Sequence, residues 1–91
     1  MNVSEEIKRM SVEASKLKSV ILRNNNIDIL LYLAKYNPTT TIKEIKERFG
    51  EESLKEIDLL KQSHLVREEK ERLILTDEGI FQVEGLLTLV V

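Results

Sequence analysis

The sequence predicts a mostly α-helical fold with one small antiparallel β-hairpin, on three observations. Thr41-Ile-Lys-Glu44 and Ser53-Leu-Lys-Glu56 both have capping-box spacing, with Gly50 between them. In such a box the hydroxyl and the later carboxylate each take a backbone N–H that the helix start leaves unpaired. Leu65-Val66 and Leu73-Ile-Leu75 are β-prone runs on either side of the charged stretch Arg67-Glu-Glu-Lys-Glu-Arg72, and Thr76-Asp-Glu78 then opens a further helix. Two capped helices around a glycine turn, a hairpin and another helix make a winged helix-turn-helix, an order used by nucleic-acid readers.

Composition narrows the function classes. Ninety-one residues, 42% hydrophobic and 33% charged, allow a single globular domain, residues 1–91. Aromatics are only 4%, so Ile, Leu and Val must fill the core. With Cys 0 and His 1 no protein-built zinc site is expected, and no cofactor. The absence of Cys suits a reducing, cytoplasmic setting. Met1–Met10 carries Glu5, Glu6, Lys8 and Arg9 where a signal peptide would be apolar, and no apolar run is long enough to span a bilayer. No nucleophile–base pair and no Gly-rich phosphate loop can be assembled, so an enzyme is not expected.

Each element has its own pattern. Residues 1–22 read as an N-terminal helix. Val3, Ile7, Met10, Ala14, Leu17 and Ile21 are spaced 4, 3, 4, 3, 4, the a/d seam of a heptad repeat. That seam fits a dimerisation helix, or a helix packed on its own domain. Residues 24–79 hold the helix-turn-helix and wing. Asn24-Asn25-Asn26 should cap a helix over 26–36, with Ile27, Leu30, Leu31 and Ala34 as its buried face and Ile29, Leu33 and Tyr36 as a second apolar edge. Asn37-Pro38 ends it. Ile42, Ile45 and Phe49 face inward on the next helix, and Gly50 supplies a positive φ after it. A helix over 54–63 follows, with Ser53, Ile57, Leu60 and His64 on one side and Lys55, Asp58, Leu59 and Gln62 on the other. His64 is read as a C-terminal helix residue interacting with the dipole. The hairpin should have a loop of roughly three or four residues. Residues 77–91 form a C-terminal helix capped by Thr76 and ending in the uncharged run 86–91. Leu86, Leu87 and Val90 of that run, with Ile7, Met10, Ala14, Leu17 and Ile21, are the candidate dimer interface.

The run Leu54-Lys-Glu-Ile57-Asp-Leu-Leu60, then Leu65-Val66, then Leu73-Ile-Leu-Thr-Asp-Glu-Gly79 resembles small ArsR/MarR-type winged helices, particularly those of archaea and their viruses. The likeness covers about residues 20–88 and rests on apolar and turn positions. It implies a homodimer built on the terminal helices, a recognition helix, and a wing. His64 stands where that family usually has Gly, and neither the Cys pairs nor the Asp/His clusters of its metal sensors are present.

Under this reading the partner is double-stranded DNA. Ser53, Lys55, Leu59 and Gln62 would present from the recognition helix, Thr40, Thr41 and Lys43 would meet phosphate, and Arg67, Lys70 and Arg72 would reach the backbone or minor groove from the wing. Charge opposes it. Over 51–72 five basic residues face seven acidic ones, a balance of −2, whereas releasing counterions from phosphate needs cations. Asp58 would be repelled. Leu59 would touch a thymine methyl or a protein, or is a scattered exposed Leu that needs no partner. The expected function is therefore a sequence-specific DNA-binding regulator acting as a homodimer. The alternative is a winged-helix module for protein–protein contact in a transcription or membrane-remodelling assembly.

Overall fold

The computed structural model describes residues 15–90, with side chains as far as Thr88. Helix α1 covers 15–21 of these. It is followed by α2 (Asn26–Tyr36), α3 (Ile42–Phe49), α4 (Ser53–Gln62), strands β1 (Val66–Glu69) and β2 (Arg72–Leu75), and α5 (Asp77–Val90). The molecule is mostly helical with one two-stranded antiparallel sheet. Val3, Ile7, Met10 and Ala14 of the heptad seam lie outside the described residues.

One apolar core joins every element. Ile21, Ile29, Leu30, Leu33, Ile45, Ile57, Leu60, Leu65, Val66, Leu73, Leu75 and Val83 are buried in it. Each such side chain contributes roughly 1.5–3 kcal/mol relative to exposure. Ile21 is thus spent on the chain's own core and Leu17 packs half-buried against it, so this end of the seam serves the domain itself and leaves Ile21 no surface for a partner. On α2 the core stripe is Asn26, Ile29, Leu30 and Leu33, not Ile27, Leu30, Leu31 and Ala34. Both sets have i, i+3, i+4, i+7 spacing, and the polar Asn26 at the head of the true stripe disguises it. Ala34 is exposed, while Ile27 and Leu31 are half-buried.

The caps divide. Thr41 makes its full capping box with Glu44. Gly50 closes α3 at φ 90°, its N–H donating to the Lys46 carbonyl. The second expected box does not form: Glu52 is the N-cap of α4 and makes no side-chain cap, Ser53 is the first helical residue, and Glu56 turns inward. The Asn25 side chain does not cap α2 either. At the far end of α4, His64 adopts φ 60°. Its N–H donates to the Lys61 carbonyl at 3.0 Å and the Leu65 N–H to that of Leu60 at 3.0 Å. These two bonds make a Schellman motif, with His64 in the left-handed position that glycine usually fills and buried Leu65 closing the apolar contact. His64 therefore lies past the helix end rather than in its last turn.

The wing is tied down on three sides. Register pairs Val66 with Leu75, Arg67 with Ile74, Glu68 with Leu73 and Glu69 with Arg72. The turn is two residues, Lys70 and Glu71, with φ 50° and 68°, shorter than the sequence suggests. Both values match the type I′ geometry that suits strand twist, adopted here without the usual Asn or Gly. Thr41 bridges Arg72 as a one-residue third strand. Leu73 N–H donates to the Thr40 carbonyl (2.8 Å) and Ile42 N–H to that of Glu71 (3.0 Å). Asn37 Oδ1 accepts the Leu75 N–H at 3.2 Å. The start of α3 and the wing thus move as one piece. Thr76 caps α5 by accepting the Gly79 N–H at 3.0 Å. Gly79 is buried so close to the Leu65 carbonyl that any Cβ would drive into it.

Two substitutions test these joints by urea denaturation. His64→Gly relieves the left-handed strain and should stabilise by about 1 kcal/mol, because a non-glycine residue there costs roughly 1–2 kcal/mol and glycine returns part of that as unfolded-chain entropy. Gly79→Ala should destabilise by about 2 kcal/mol or more, since backbone rather than a flexible side chain must yield. A neutral Gly79→Ala would mean that α5 does not dock on Leu65 as described.

Candidate nucleic-acid interface

The residues expected to meet DNA fall into three groups. Thr40, Thr41 and Ser53 do not present hydroxyls. Thr40 is buried, and its Oγ1 has no hydrogen-bond partner. Thr41 Oγ1 accepts the Glu44 N–H at 3.1 Å within the capping box. Ser53 is buried, its hydroxyl donating to the Gly50 carbonyl. All three are structural because the one-residue strand and the helix turn pull them inward.

The second group lies on the outer face of α4 and at the start of α3. Lys55, Asp58 and Gln62 are exposed; Leu59 is half-buried. Leu54, 38% exposed, is the large apolar side chain that α4 shows to solvent, a place sequence reasoning gives to Leu59. Glu51 and Glu52 are exposed beside them. Lys61 is held by Glu68 of β1. The face therefore stays acidic. Lys43 is exposed on α3 and pairs weakly with Glu47 at 4.0 Å.

The third group is on the wing, and here the structure gathers what the sequence spreads out. In an antiparallel pair, opposed residues share a face and the faces alternate. Val66, Leu73 and Leu75 point into the core, so Arg67, Glu69, Arg72 and Ile74 point out together. With Pro38 and Lys70 they line one open groove. Three cations against one carboxylate give this groove a balance of +2. Arg67 makes a long contact to Glu69 (3.7 Å), while Lys70 and Arg72 have no carboxylate partner among the described residues. Positive charge is thus concentrated on this one face of the hairpin, whose three cations are otherwise matched by Glu68, Glu69 and Glu71.

Glu56 is the functional residue that sequence reasoning missed. It is 5% exposed. Arg23 donates to both its oxygens, from Nε at 3.2 Å and a terminal nitrogen at 3.1 Å. Asn24 Nδ2 donates at 2.8 Å and Asn26 Nδ2 at 2.9 Å. Asn26 also donates to the Val20 carbonyl at 2.7 Å. One carboxylate thereby lashes the α1–α2 corner to the middle of α4. Its pKa is lowered, first by the Arg23 hydrogen bond, against burial, with Asn24 and Asn26 assisting. Glu56 turned inward also removes one negative charge from the exposed surface of α4. The sequence signal was available: Glu56 stands at i+3 from Ser53 and i−4 from Leu60, on the buried face of the helix.

The candidate dimer residues are dispersed. Leu86 packs half-buried on the core, Leu87 is exposed, and the side chain of Val90 lies outside the described residues. Ile80 and Leu87 line an apolar groove with Ala34 and Leu75, and Phe81 beside it is 65% exposed. Among the described residues no cluster of His, Cys, Asp or Glu could hold a metal ion. No described helix is long and apolar enough to cross a membrane. Compared with family models, curated proteins and solved structures, the chain shows no significant match to any of them.

The Glu56 network carries a pH signature. A carboxylate whose folded pKa lies below its ordinary 4.5 contributes stability that is complete above that value and is lost as pH falls through the folded pKa. At pH 7, Glu56→Gln should cost about 2 kcal/mol by breaking its hydrogen bonds. In urea unfolding the gap between wild type and variant should narrow as pH falls below the usual glutamate range. A gap that stays constant to pH 3 would mean the carboxylate's charge is not what holds the corner.

Proposed function

We propose that the chain is a winged-helix DNA-binding protein of the ArsR/MarR-like type, a transcriptional regulator acting as a homodimer, in which the wing supplies the electrostatic affinity. The observation that carries this reading is the convergence of Arg67, Lys70 and Arg72 on one outward groove, rigidly joined to the start of α3. Phosphate contacts set affinity and position, and base contacts set specificity. Here the two tasks are divided. The wing cations, with Lys43, would hold the backbone. The acidic face of α4 would bring Lys55 and Gln62 to base edges, with Asp58 opposing non-specific approach. A helix that phosphate repels contributes little to random binding, so a larger share of affinity depends on the right sequence. The apolar surface of α5 supports the homodimer.

A module for protein contact is the second reading, favoured by Leu54 exposed on an acidic α4. The two part in salt. Binding to a mixed-sequence duplex, followed by fluorescence anisotropy at several salt concentrations, should show a log–log slope that falls by about one for each of Lys70→Ala and Arg72→Ala. Asp58→Asn should strengthen the same binding and leave the slope nearly unchanged. Absence of any duplex binding at low salt would remove the regulator reading and leave the protein-contact one.

A further inference from the structure

A second pair of cations stands on α2 and α3, and three of the chain's four aromatic residues stand with it. The Tyr32 ring lies 4.8 Å from that of Tyr36, tilted by 52°, and 6.0 Å from that of Phe49, nearly edge-on. The Arg48 guanidinium sits 4.9 Å over Tyr32. Lys35 Nζ sits 5.3 Å over Tyr36. Tyr36 is 43% exposed although a core short of aromatics could have used it. Neither Lys35 nor Arg48 has a carboxylate within ion-pair distance among the described residues, whereas Arg23, Lys43, Lys46, Lys61 and Arg67 each do. An open recess of about 420 Å³ runs between them, floored by Leu31 and Phe49, with Asp28 at its rim.

We propose that this face binds an acidic peptide segment of a partner protein, with Lys35 and Arg48 taking carboxylates and Leu31 with the Tyr32 and Phe49 rings backing an apolar side chain between them. A cation resting on a ring face is held in place while its N–H donors stay directed outward. Arginine so held offers a carboxylate two parallel hydrogen bonds. Tyrosine and arginine are, with tryptophan, enriched among the anchors of protein contacts, and tyrosine brings large area at small conformational cost. Charge complementarity selects the partner: two unpaired cations match the isolated carboxylates of a peptide. A nucleic-acid strand fits less well, since its continuous row of phosphates would find only two cations from which to gain by counterion release. The proposal is independent of the wing and its groove, so either can fail alone.

The test uses the full chain and a fluorescein-labelled hexapeptide alternating single and paired Glu with Leu, with an oligothymidylate of six nucleotides as competitor. Anisotropy should show saturable peptide binding, with a Kd on the order of 100 µM for so short a segment. Lys35→Gln with Arg48→Gln should weaken it by roughly tenfold. Lys35→Arg alone, which keeps the cation over Tyr36, should retain most of it, which separates lost contacts from a damaged fold. Lys18→Gln, an exposed cation on α1, should have no effect. No saturation by about 1 mM peptide, or equal losses from Lys18→Gln, would overturn the proposal. So would tighter binding of the oligothymidylate with the same dependence on Lys35 and Arg48, which would make the face a nucleic-acid surface.

Discussion

Everything that α4 can do depends on where it is held, and the holding is done by one buried carboxylate. Glu56 accepts from Arg23, Asn24 and Asn26, so the helix is joined at its middle to the corner between α1 and α2. Apolar packing alone lets a ten-residue helix roll, because dispersion has no direction. Hydrogen bonds from a bidentate guanidinium and two amides do have direction, and a buried charge left short of partners is costly enough to exclude other arrangements. Arg23 itself keeps about half its side chain in solvent, so the corner joins the core to the surface.

The wing is the counterpart to this anchor. Its two strands are too short to persist alone, and they are held by the Thr41 bridge, the Thr40 carbonyl and Asn37. The cost is visible in Lys70 and Glu71, both at positive φ without being glycine or asparagine. A looser loop would avoid that strain and would also let Lys70 and Arg72 drift apart. Tight turn and shared face together explain how a chain of net charge −2 presents a positive groove. Net charge describes the sum over the surface; binding responds to where the charges stand.

The sequence was legible where local chemistry decides the outcome. The Thr41 box, the Gly50 turn and the Thr76 cap follow from hydrogen-bond options within four residues, and both strands and the bounds of α2 follow from apolar patterning between turn residues. It misled where a distant partner decides. Ser53 and Glu56 have capping-box spacing, but Glu56 finds Arg23, 33 residues away, and abandons the local bond. Asn26 reads as a cap and is buried for the same reason. Thr40 looks like a phosphate ligand and is drawn inside by its carbonyl's bond to Leu73. Of the candidate interface, Lys55 and the hairpin cations are exposed, while the convergence of Arg67, Lys70 and Arg72 on one face required the register of the hairpin. His64 was singled out as an odd residue, yet its left-handed backbone could be seen only once the helix end was located.

Under the proposed function, nucleic acid would be gripped by the hairpin and the start of α3, with α4 held over the bases by Glu56. Titrating the 15N-labelled chain with a short mixed-sequence duplex at low salt reads this residue by residue from backbone amide shifts. The account predicts the largest shifts at Arg67–Arg72 and Lys43, smaller ones at Lys55–Gln62, and none at Lys35 or Arg48. Shifts centred on α2 and α5 with the wing unmoved, or none at all, would contradict it.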